Sequence, residues 1–160
     1  MRQGRHQLAG ELGHQSIAAR VLMQYQLPLY RCGCGLEGCA ETYISGTGLA
    51  RLYSHFSQQD KTTYDWLQAL RRQEPVAQHC FACYLDALGA ALAAQVLAYD
   101  PDVLVIGGGL SDIDEIFQAL PAAIGRHLFS GVTVPPVRRA EYGAASGERG
   151  AAILGARLAG

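Results

Sequence analysis

Three cysteines stand close together within residues 31–49, in a stretch that is rich in glycine. Cys32, Cys34 and Cys39 are spaced C-x-C-x4-C, and the glycines around them let the backbone turn tightly enough to direct three sulfurs at one point. Three thiolates need a fourth ligand to complete a tetrahedral zinc site, and the nearest suitable upstream histidine is His14. The spacing predicts a structural Cys3His zinc site, with a glycine-rich turn holding buried free thiols as the alternative.

A second pair of chemically capable residues lies nearer the N-terminus. Glu11 and His14 stand three positions apart, each directly after a glycine, Gly10 and Gly13. Such a short segment can present a carboxylate and an imidazole together into a cleft. A surface turn is the alternative interpretation of the same residues.

A glycine-rich turn follows a short apolar segment in the second half of the chain. Residues 102–106 are typical of a parallel strand that is buried on both faces, and Gly107, Gly108 and Gly109 lead from it to a helix expected near Asp112. A strand, a glycine turn and a helix N-terminus form a common nucleotide-binding corner, because the backbone can approach the ligand and the helix amides favour anions. Many such turns bind nothing, so the turn alone leaves both interpretations open.

Composition narrows the class of protein. The chain has 160 residues, 49% of them hydrophobic and 17% charged, which suits one domain, or part of one, with a sizeable core. A net charge of −1 argues against a nucleic-acid surface built on bulk charge. Five cysteines fit a metal site in a reducing cytoplasm better than a secreted disulfide framework. The apolar run 87–98 is too short to span a bilayer, and residues 1–10 do not resemble a signal peptide.

Hydrophobic spacing predicts the elements that would position these groups. A helical stripe of Phe81, Leu85, Leu88, Leu92 and Val96 marks a long helix that Pro75 begins, and Gly89 would permit close packing against a neighbour. The predicted helices cover residues 17–25 (or an extended arm there), 46–56 with Ser45 as N-cap, 63–72, 75–99, 113–128 with a break or kink at Pro121, and 148–158; a second strand is predicted at 137–141. His79, Cys80 and Cys83 are interpreted as residues of the long helix, its cysteines buried as small core residues, rather than as a second metal site.

Four segments together resemble one known family. The pattern C-G-C-G-x-x-G-C-x-E-x-x-x-S-G-x-x-L at residues 32–49 is similar to the signature of the ROK family of sugar kinases and sugar-responsive repressors. The segment G-E-L-G-H at residues 10–14, the strand and glycine turn at 100–111, and S-G-E-R-G-A-A at 146–152 resemble further family motifs. The flanking sequences are most similar to bacterial N-acetylglucosamine kinases, with fructokinase-like members next.

The resemblance implies a role for each candidate residue. In the family, the histidine and three cysteines bind a structural zinc, which carries over to His14, Cys32, Cys34 and Cys39. Two acids bind sugar hydroxyls, which carries over to Glu11 and Glu41, and His14 also faces the sugar. Gly107, Gly108, Gly109 and Ser111 are expected beside the adenosine of ATP.

The resemblance also implies a fold and a division of labour. An α/β fold is expected, the C-terminal lobe of an actin-like, RNase H-like ATPase, with a zinc and sugar loop (10–49), a helical segment (46–99) and a nucleotide-side βα unit (100–160). The phosphate loops D-x-G-x-T and G-T-G-x-G do not occur in the chain, and the catalytic aspartate of the family is expected upstream of Met1.

The expected function is therefore that of one part of a kinase. It is the C-terminal portion of an enzyme that uses ATP and Mg²⁺ to phosphorylate N-acetyl-D-glucosamine to its 6-phosphate, inactive alone. The alternatives are the sugar-sensing domain of a ROK repressor, a fructokinase- or glucokinase-like member, and a free-standing zinc-stabilised interaction module. A cytoplasmic homodimer without a nucleic-acid or membrane partner is expected for the kinase.

Overall fold

The computed structural model of the protein describes Arg5 and residues 10–159, apart from the side chains of 158 and 159. This part of the chain contains seven α-helices, two short strands and three short 3-10 helices. Five of the α-helices precede the first strand. The helices are α1 (Ala19–Tyr25), α2 (Glu41–Ile44), α3 (Gly46–Ser57), α4 (Thr63–Arg71), α5 (Pro75–Tyr99), α6 (Asp114–Gly125) and α7 (Ser146–Ala159). The strands are β1 (Leu104–Ile106) and β2 (Val137–Arg139), and the 3-10 turns are Leu12–His14, Gly109–Asp112 and Gly143–Ala145.

The long helix α5 is the element against which the others pack. It begins at Pro75 as predicted, and α1, α2, α3, α4 and α6 all contact it. Leu85, Leu92 and Val96 of the predicted stripe are buried, and so are small residues on its other faces, including the two cysteines of the helix. Because neighbours surround α5 on several sides, burial extends well beyond a single helical stripe.

By length and composition alone, α5 could cross a membrane, which corrects the expectation drawn from the shorter run 87–98. In the folded chain, however, 61% of its most apolar 18-residue stretch is buried inside the protein. This burial is the behaviour of a core helix.

Two clusters of buried side chains form the core. The first joins α1, α2, α3, α4 and α5, and its largest fully buried members are Trp66, Tyr43 and Tyr84. The indole Nε1–H of Trp66 donates to the carbonyl of Ala77 at 3.2 Å, so the polar group of this large residue is satisfied. The second cluster lies where α5 and α6 meet the sheet, and its members are Leu92, Ala93, Val96, Leu120 and Ile124.

The sheet corrects the prediction of a strand buried on both faces. β1 and β2 pair in parallel, with Val105 opposite Arg138 in the register. Leu104 and Ile106 pack against the second cluster, whereas the Val105 side chain on the opposite face is 60% exposed. Helices cover only one face of this two-stranded sheet, so the other face of a strand with an apolar sequence remains open.

Several predicted element boundaries hold and others move. Ser45 caps α3 as predicted, accepting the Gly48 N–H at 3.0 Å. α6 runs on through Pro121 to Gly125, so of the predicted break or kink at this proline, the break is wrong. The last helix starts at Ser146, two residues before its predicted start, and α2 was not predicted because four residues are too few to show a helical period.

Gly89 lets α5 and α6 approach closely, as its sequence position suggested. A Cβ at this glycine would lie 2.5 Å from the carbonyl oxygen of Ala123 in α6. Such a contact must displace backbone, and overpacking of this kind costs about 1–3 kcal/mol.

We therefore expect Gly89→Ala to lower the free energy of unfolding by about 1–3 kcal/mol, measured in urea titrations followed by circular dichroism. Gly155→Ala is the matched control, because a Cβ at that helical glycine meets nothing within 4 Å. It should leave stability unchanged or raise it by up to about 1 kcal/mol. Equal destabilisation by the two substitutions would contradict the packing argument.

Candidate functional site

A short backbone ladder places His14 beside the cysteine loop. His14 ends a 3-10 turn, and the chain directly after it pairs with the end of the loop. The Ile17 N–H donates to the Gly38 carbonyl at 2.8 Å, and the Ala40 N–H donates to the Gln15 carbonyl at 2.8 Å. These bonds join two segments about twenty residues apart in sequence and align the histidine with the loop.

The loop itself closes through hydrogen bonds and glycine conformations. The Cys32 N–H donates to the Leu36 carbonyl at 2.7 Å, and the Gly35 N–H donates back to the Cys32 carbonyl at 3.0 Å. Gly35 and Gly38 have φ values of 94° and 74°, in the region that favours glycine. A Cβ at Gly38 would also lie 2.9 Å from the tip of the exposed Leu29 side chain, which can move aside, so it is the backbone conformation that favours glycine there.

The four predicted ligands converge in the folded chain. The ligand atoms of His14, Cys32, Cys34 and Cys39 all lie within 4.8 Å of one another. Cys32 Sγ is 3.6 Å from His14 Nδ1, and Cys34 Sγ is 3.6 Å from Cys39 Sγ. Tetrahedral zinc with ordinary bond lengths places its ligands about 3.6 to 3.8 Å apart, so the donor set fits such an ion.

Burial and ionisation differ within this cluster. Cys32 and Cys39 are buried, whereas Cys34 is exposed and His14 is accessible at the surface. Burial raises the pKa of the Cys39 thiol to about 12, while a hydrogen bond from the backbone at Leu36 lowers the pKa of Cys34. A bound divalent cation would deprotonate its coordinating thiols outright. The alternative of buried free thiols does not describe Cys34, which faces solvent.

Glu41 is held next to the cluster. It is the first residue of α2, two positions after Cys39, and its side chain is exposed. A Cβ at Gly13 would lie 2.8 Å from Glu41 Oε2, so this glycine allows the turn before His14 to approach the carboxylate. Glu11 precedes the same turn and is also exposed, with its carbonyl accepting the His14 N–H at 3.3 Å. The structure thus places the Glu41 carboxylate against the turn that Glu11 precedes and His14 ends.

The glycine turn after β1 lines a second candidate site. Gly107, Gly108 and Gly109 border a cleft of about 470 Å³, and Gly108 has a φ of 81°. The opposite wall comes from Ser45 and Gly46 at the start of α3, together with Thr63, Ile44, Leu110 and Ile113. Backbone therefore forms much of the cleft, and a ligand can approach it closely.

Ser111 has a defined place under this turn. Its side chain is 2% exposed, and its hydroxyl donates to the Gly108 carbonyl at 2.7 Å. The Ser111 N–H donates to the same carbonyl at 3.0 Å. Ser111 therefore stabilises the turn by hydrogen bonds and does not line the cleft, whereas the three glycines do.

Sequence reasoning missed the wall opposite the glycines. Ser45 was predicted only as a helix cap, and Gly46 and Thr63 were not singled out. The Thr63 hydroxyl donates to the Gly46 carbonyl at 2.8 Å and ties the start of α4 to the start of α3. No spacing rule marks such a pair, because it forms between residues seventeen positions apart.

Helix α2 connects the two candidate sites. Glu41 is its first residue, and Ile44, its last, lines the cleft beside Ser45 and Gly46. Four helical residues span about 6 Å. The backbone of Glu41 and the edge of the glycine-lined cleft at Ile44 thus lie about one helical turn apart. The Tyr84 hydroxyl donates to the Ile44 carbonyl at 2.9 Å and fastens α2 to the core helix.

Cys80 and Cys83 are core residues, as the sequence indicated. Both side chains are fully buried in the first cluster, and burial raises the pKa of Cys83 to about 12. The ring of His79 packs against Tyr25 and Phe56. These three residues of α5 therefore serve packing.

Comparison with known proteins identifies the family. The profile of the ROK family matches residues 1–157. The chain belongs to the ROK family. The N-acetylgalactosamine kinase AgaK of Shewanella sp. (strain ANA-3) is 57% identical over 152 residues, which are 95% of this chain and 49% of that protein. The N-acetyl-D-glucosamine kinase of Salmonella dublin is 39% identical over 153 residues, which are 94% of this chain and 50% of that protein.

A solved ROK structure shares the fold. The ROK family glucokinase of Streptomyces griseus, crystallised with glucose and AMPPNP, is 28% identical and superposes with a TM-score of 0.80 over 96% of this chain and 53% of that one. These matches confirm the expected fold, which is that of the C-terminal lobe in the actin-like fold of solved ROK sugar kinases. The chain spans about half the length of the curated relatives it matches.

The cysteine cluster allows a direct test of metal binding. We expect one divalent metal ion per chain, and Cys34→Ser should lower that stoichiometry and reduce the thermal stability of the loop region, because the remaining three donors no longer close a tetrahedron. Metal content by inductively coupled plasma mass spectrometry and melting by circular dichroism would measure both effects. Cys80→Ala is the control, because this thiol lies in the core. The substitution should leave the metal stoichiometry unchanged. Full metal content in Cys34→Ser would remove this cysteine from the ligand set.

Proposed function

We propose that this chain is the C-terminal part of an ATP-dependent kinase that phosphorylates an N-acetylated hexosamine on its 6-hydroxyl. The observation that carries the proposal is the placement of Glu41. Its carboxylate lies against Gly13, next to the metal donor His14, and Glu41 begins the short helix α2, whose last residue lines a cleft. A sugar kinase needs this neighbourhood of a hydroxyl-binding group and a nucleotide-binding surface.

The sugar side of the proposal rests on Glu11, His14 and Glu41. A carboxylate can accept hydrogen bonds from two sugar hydroxyls, and bonds to a charged acceptor are the stronger kind. The metal is proposed to be zinc, bound by His14 and the three cysteines. Its role is structural: it holds the loop so that Glu41, two residues beyond Cys39, keeps a fixed position.

The nucleotide side rests on the turn after β1. Gly107, Gly108 and Gly109 would lie against the adenosine of ATP, with Ser111 holding the turn in shape through the Gly108 carbonyl. AMPPNP, bound in the crystallised Streptomyces griseus glucokinase, is an ATP analogue, which supports ATP as the phosphoryl donor. Mg²⁺ would accompany the nucleotide, since phosphoryl transfer depends on neutralising the phosphate charge.

Two related sugars are candidates for the acceptor. The sequence favoured N-acetylglucosamine, and the Salmonella dublin relative is named for that substrate. The Shewanella relative, with the higher identity of 57%, is named as an N-acetylgalactosamine kinase. This identity makes N-acetylgalactosamine the second candidate, and the two sugars differ only in the orientation of one hydroxyl.

The kinase hypothesis is favoured over that of a repressor's sugar-sensing domain, because the Shewanella and Salmonella dublin relatives are both named as kinases. Phosphoryl transfer further needs the phosphate loops and the catalytic aspartate, and no residue in this chain is assigned those roles. We propose that they reside in the other half of the enzyme, that the assembled protein is a cytoplasmic homodimer, and that it requires no nucleic acid.

Glu41 gives the sharpest test of the sugar side. Glu41→Gln should weaken binding of N-acetylglucosamine or N-acetylgalactosamine about tenfold or more in isothermal titration calorimetry, because a charged acceptor is replaced by a neutral amide. Zinc content should stay the same. Glu37→Gln, which changes another exposed acid of the loop, should alter neither quantity. Loss of zinc in Glu41→Gln would instead assign this acid to the metal shell, and no sugar binding by the unmodified chain would contradict the proposed site.

The division of labour between two halves is tested by complementation. We expect the 160-residue chain alone to show no transfer of phosphate from ATP to either sugar, and activity to appear when it is fused behind the N-terminal half of AgaK. An ADP-coupled assay with both sugars measures the transfer and identifies the preferred acceptor. The same fusion carrying Gly13→Leu is the control, because a side chain there would collide with Glu41. A correctly folded fusion without activity would count against the kinase proposal.

A further inference from the structure

A cavity beside α5, with both polar and apolar lining, is separate from both candidate sites. It has a volume of about 620 Å³ and lies between α1, the first half of α5 and the residue that follows α6. Its polar lining consists of Arg20, Gln24, Tyr25, Gln78, Asp86 and Arg126, and Phe81 and Leu85 supply apolar surface. It shares no lining residue with the glycine-lined cleft or the metal cluster.

Asp86 organises the charges of this cavity. The residue is 5% exposed, and its Oδ1 accepts from Arg20 Nη2 at 3.1 Å and lies 2.9 Å from His127 Nε2. Arg20 Nη2 is also 3.2 Å from His127 Nδ1. Arg20 and His127 both contact the same carboxylate oxygen of Asp86. The carboxylate thus orients the Arg20 guanidinium at the cavity.

A carboxylate oxygen and a guanidinium group at this cavity have no hydrogen-bond partner among the described residues. Asp86 Oδ2 is buried and has no hydrogen-bond partner among the described residues. The guanidinium of Arg126 makes no ion pair or hydrogen bond within the same part of the chain, although the residue lines the same cavity as Asp86. Its position after α6 suits the helix dipole but leaves its donors unpaired. The buried oxygen of Asp86 calls for a hydrogen-bond donor, and the exposed guanidinium of Arg126 has donors free for a ligand.

The field at the cavity is set by these same side chains. Burial raises the pKa of the Tyr25 hydroxyl, the charge of Asp86 adds to the effect, and Arg126 and Arg20 oppose it. Tyr25 therefore lies within electrostatic reach of all three charged groups. With two guanidinium groups and one carboxylate, the lining carries an excess of one positive charge, which favours an anionic ligand.

We propose that this cavity binds a hydroxylated organic phosphate of the sugar phosphate class. The phosphate would pair with Arg126 and Arg20, a hydroxyl would approach Asp86, and the carbon skeleton would cover the apolar surface of Phe81 and Leu85. Guanidinium groups suit this ligand because they form strong charge-assisted bonds to phosphate oxygens. The site would give the protein a further ligand besides the sugar and the nucleotide. This proposal does not depend on the proposed kinase function.

Isothermal titration calorimetry on the full chain tests the proposal with glucose 6-phosphate as probe. We expect saturable binding that weakens as salt is raised, and inorganic phosphate should bind about tenfold more weakly because it lacks the hydroxylated skeleton. Arg126→Gln should weaken glucose 6-phosphate binding at least about tenfold, through loss of the charge-assisted contact. Arg138→Gln, which changes an exposed arginine of β2, should leave it unchanged.

Three results would overturn the proposal. The first is no binding of glucose 6-phosphate by the unmodified chain at millimolar concentration. The second is binding that survives Arg126→Gln but is lost in Glu41→Gln, which would locate the ligand at the candidate sugar site. The third is a homodimer in size-exclusion chromatography whose assembly depends on Arg126, which would make the cavity a subunit interface. None of these measurements uses kinase activity, so failure of the proposed function would leave the test intact.

Discussion

The hydrogen bonds between residues 15–17 and 38–40 are the constraint on which the functional region depends. They bring a histidine from one turn to three cysteines of a separate loop, and they set the loop against the turn that carries Glu11. The same pairing positions Ala40 directly before α2, so the start of that helix and the side chain of Glu41 follow from it. A metal ion at the four donors would reinforce this arrangement, because the backbone already aligns the ligands.

Close packing of α2 against α3 and α5 fixes Glu41 relative to the cleft. Gly48 allows the first turn of α3 to press on the backbone of α2, where a Cβ would lie 2.6 Å from the carbonyl carbon of Tyr43. Tyr84 of α5 fastens the last residue of α2 through its hydroxyl. The acid at one end of α2 and the cleft at the other are thus held by one core, and neither can shift without disturbing it.

The structure also shows where apolar surface is left uncovered. Val105 on the open face of the sheet is 60% exposed, and Ile153 and Leu154 of α7 are 51% and 55% exposed. A parallel strand of this composition is usually covered on both faces. The chain spans about half the length of its kinase relatives, so a comparison of the two faces of this sheet with those of a full-length relative would show what covers them there.

Sequence alone determined the parts that are local or strongly patterned. The four metal donors could be chosen from the cysteine spacing and one nearby histidine, and α5 could be placed from Pro75 and its apolar stripe, because these signals lie within a few residues or repeat along one helix. The family motifs further predicted site roles for Glu11, Glu41 and the three glycines. Tertiary structure alone decided the contact of Gly13 with Glu41, the wall that Ser45 and Gly46 form opposite the glycine turn, and the exposure of Val105. It also brought Arg20, Asp86 and His127 together from three separate helical regions. These features depend on which segments meet in space, and no periodicity or spacing along the chain encodes such meetings.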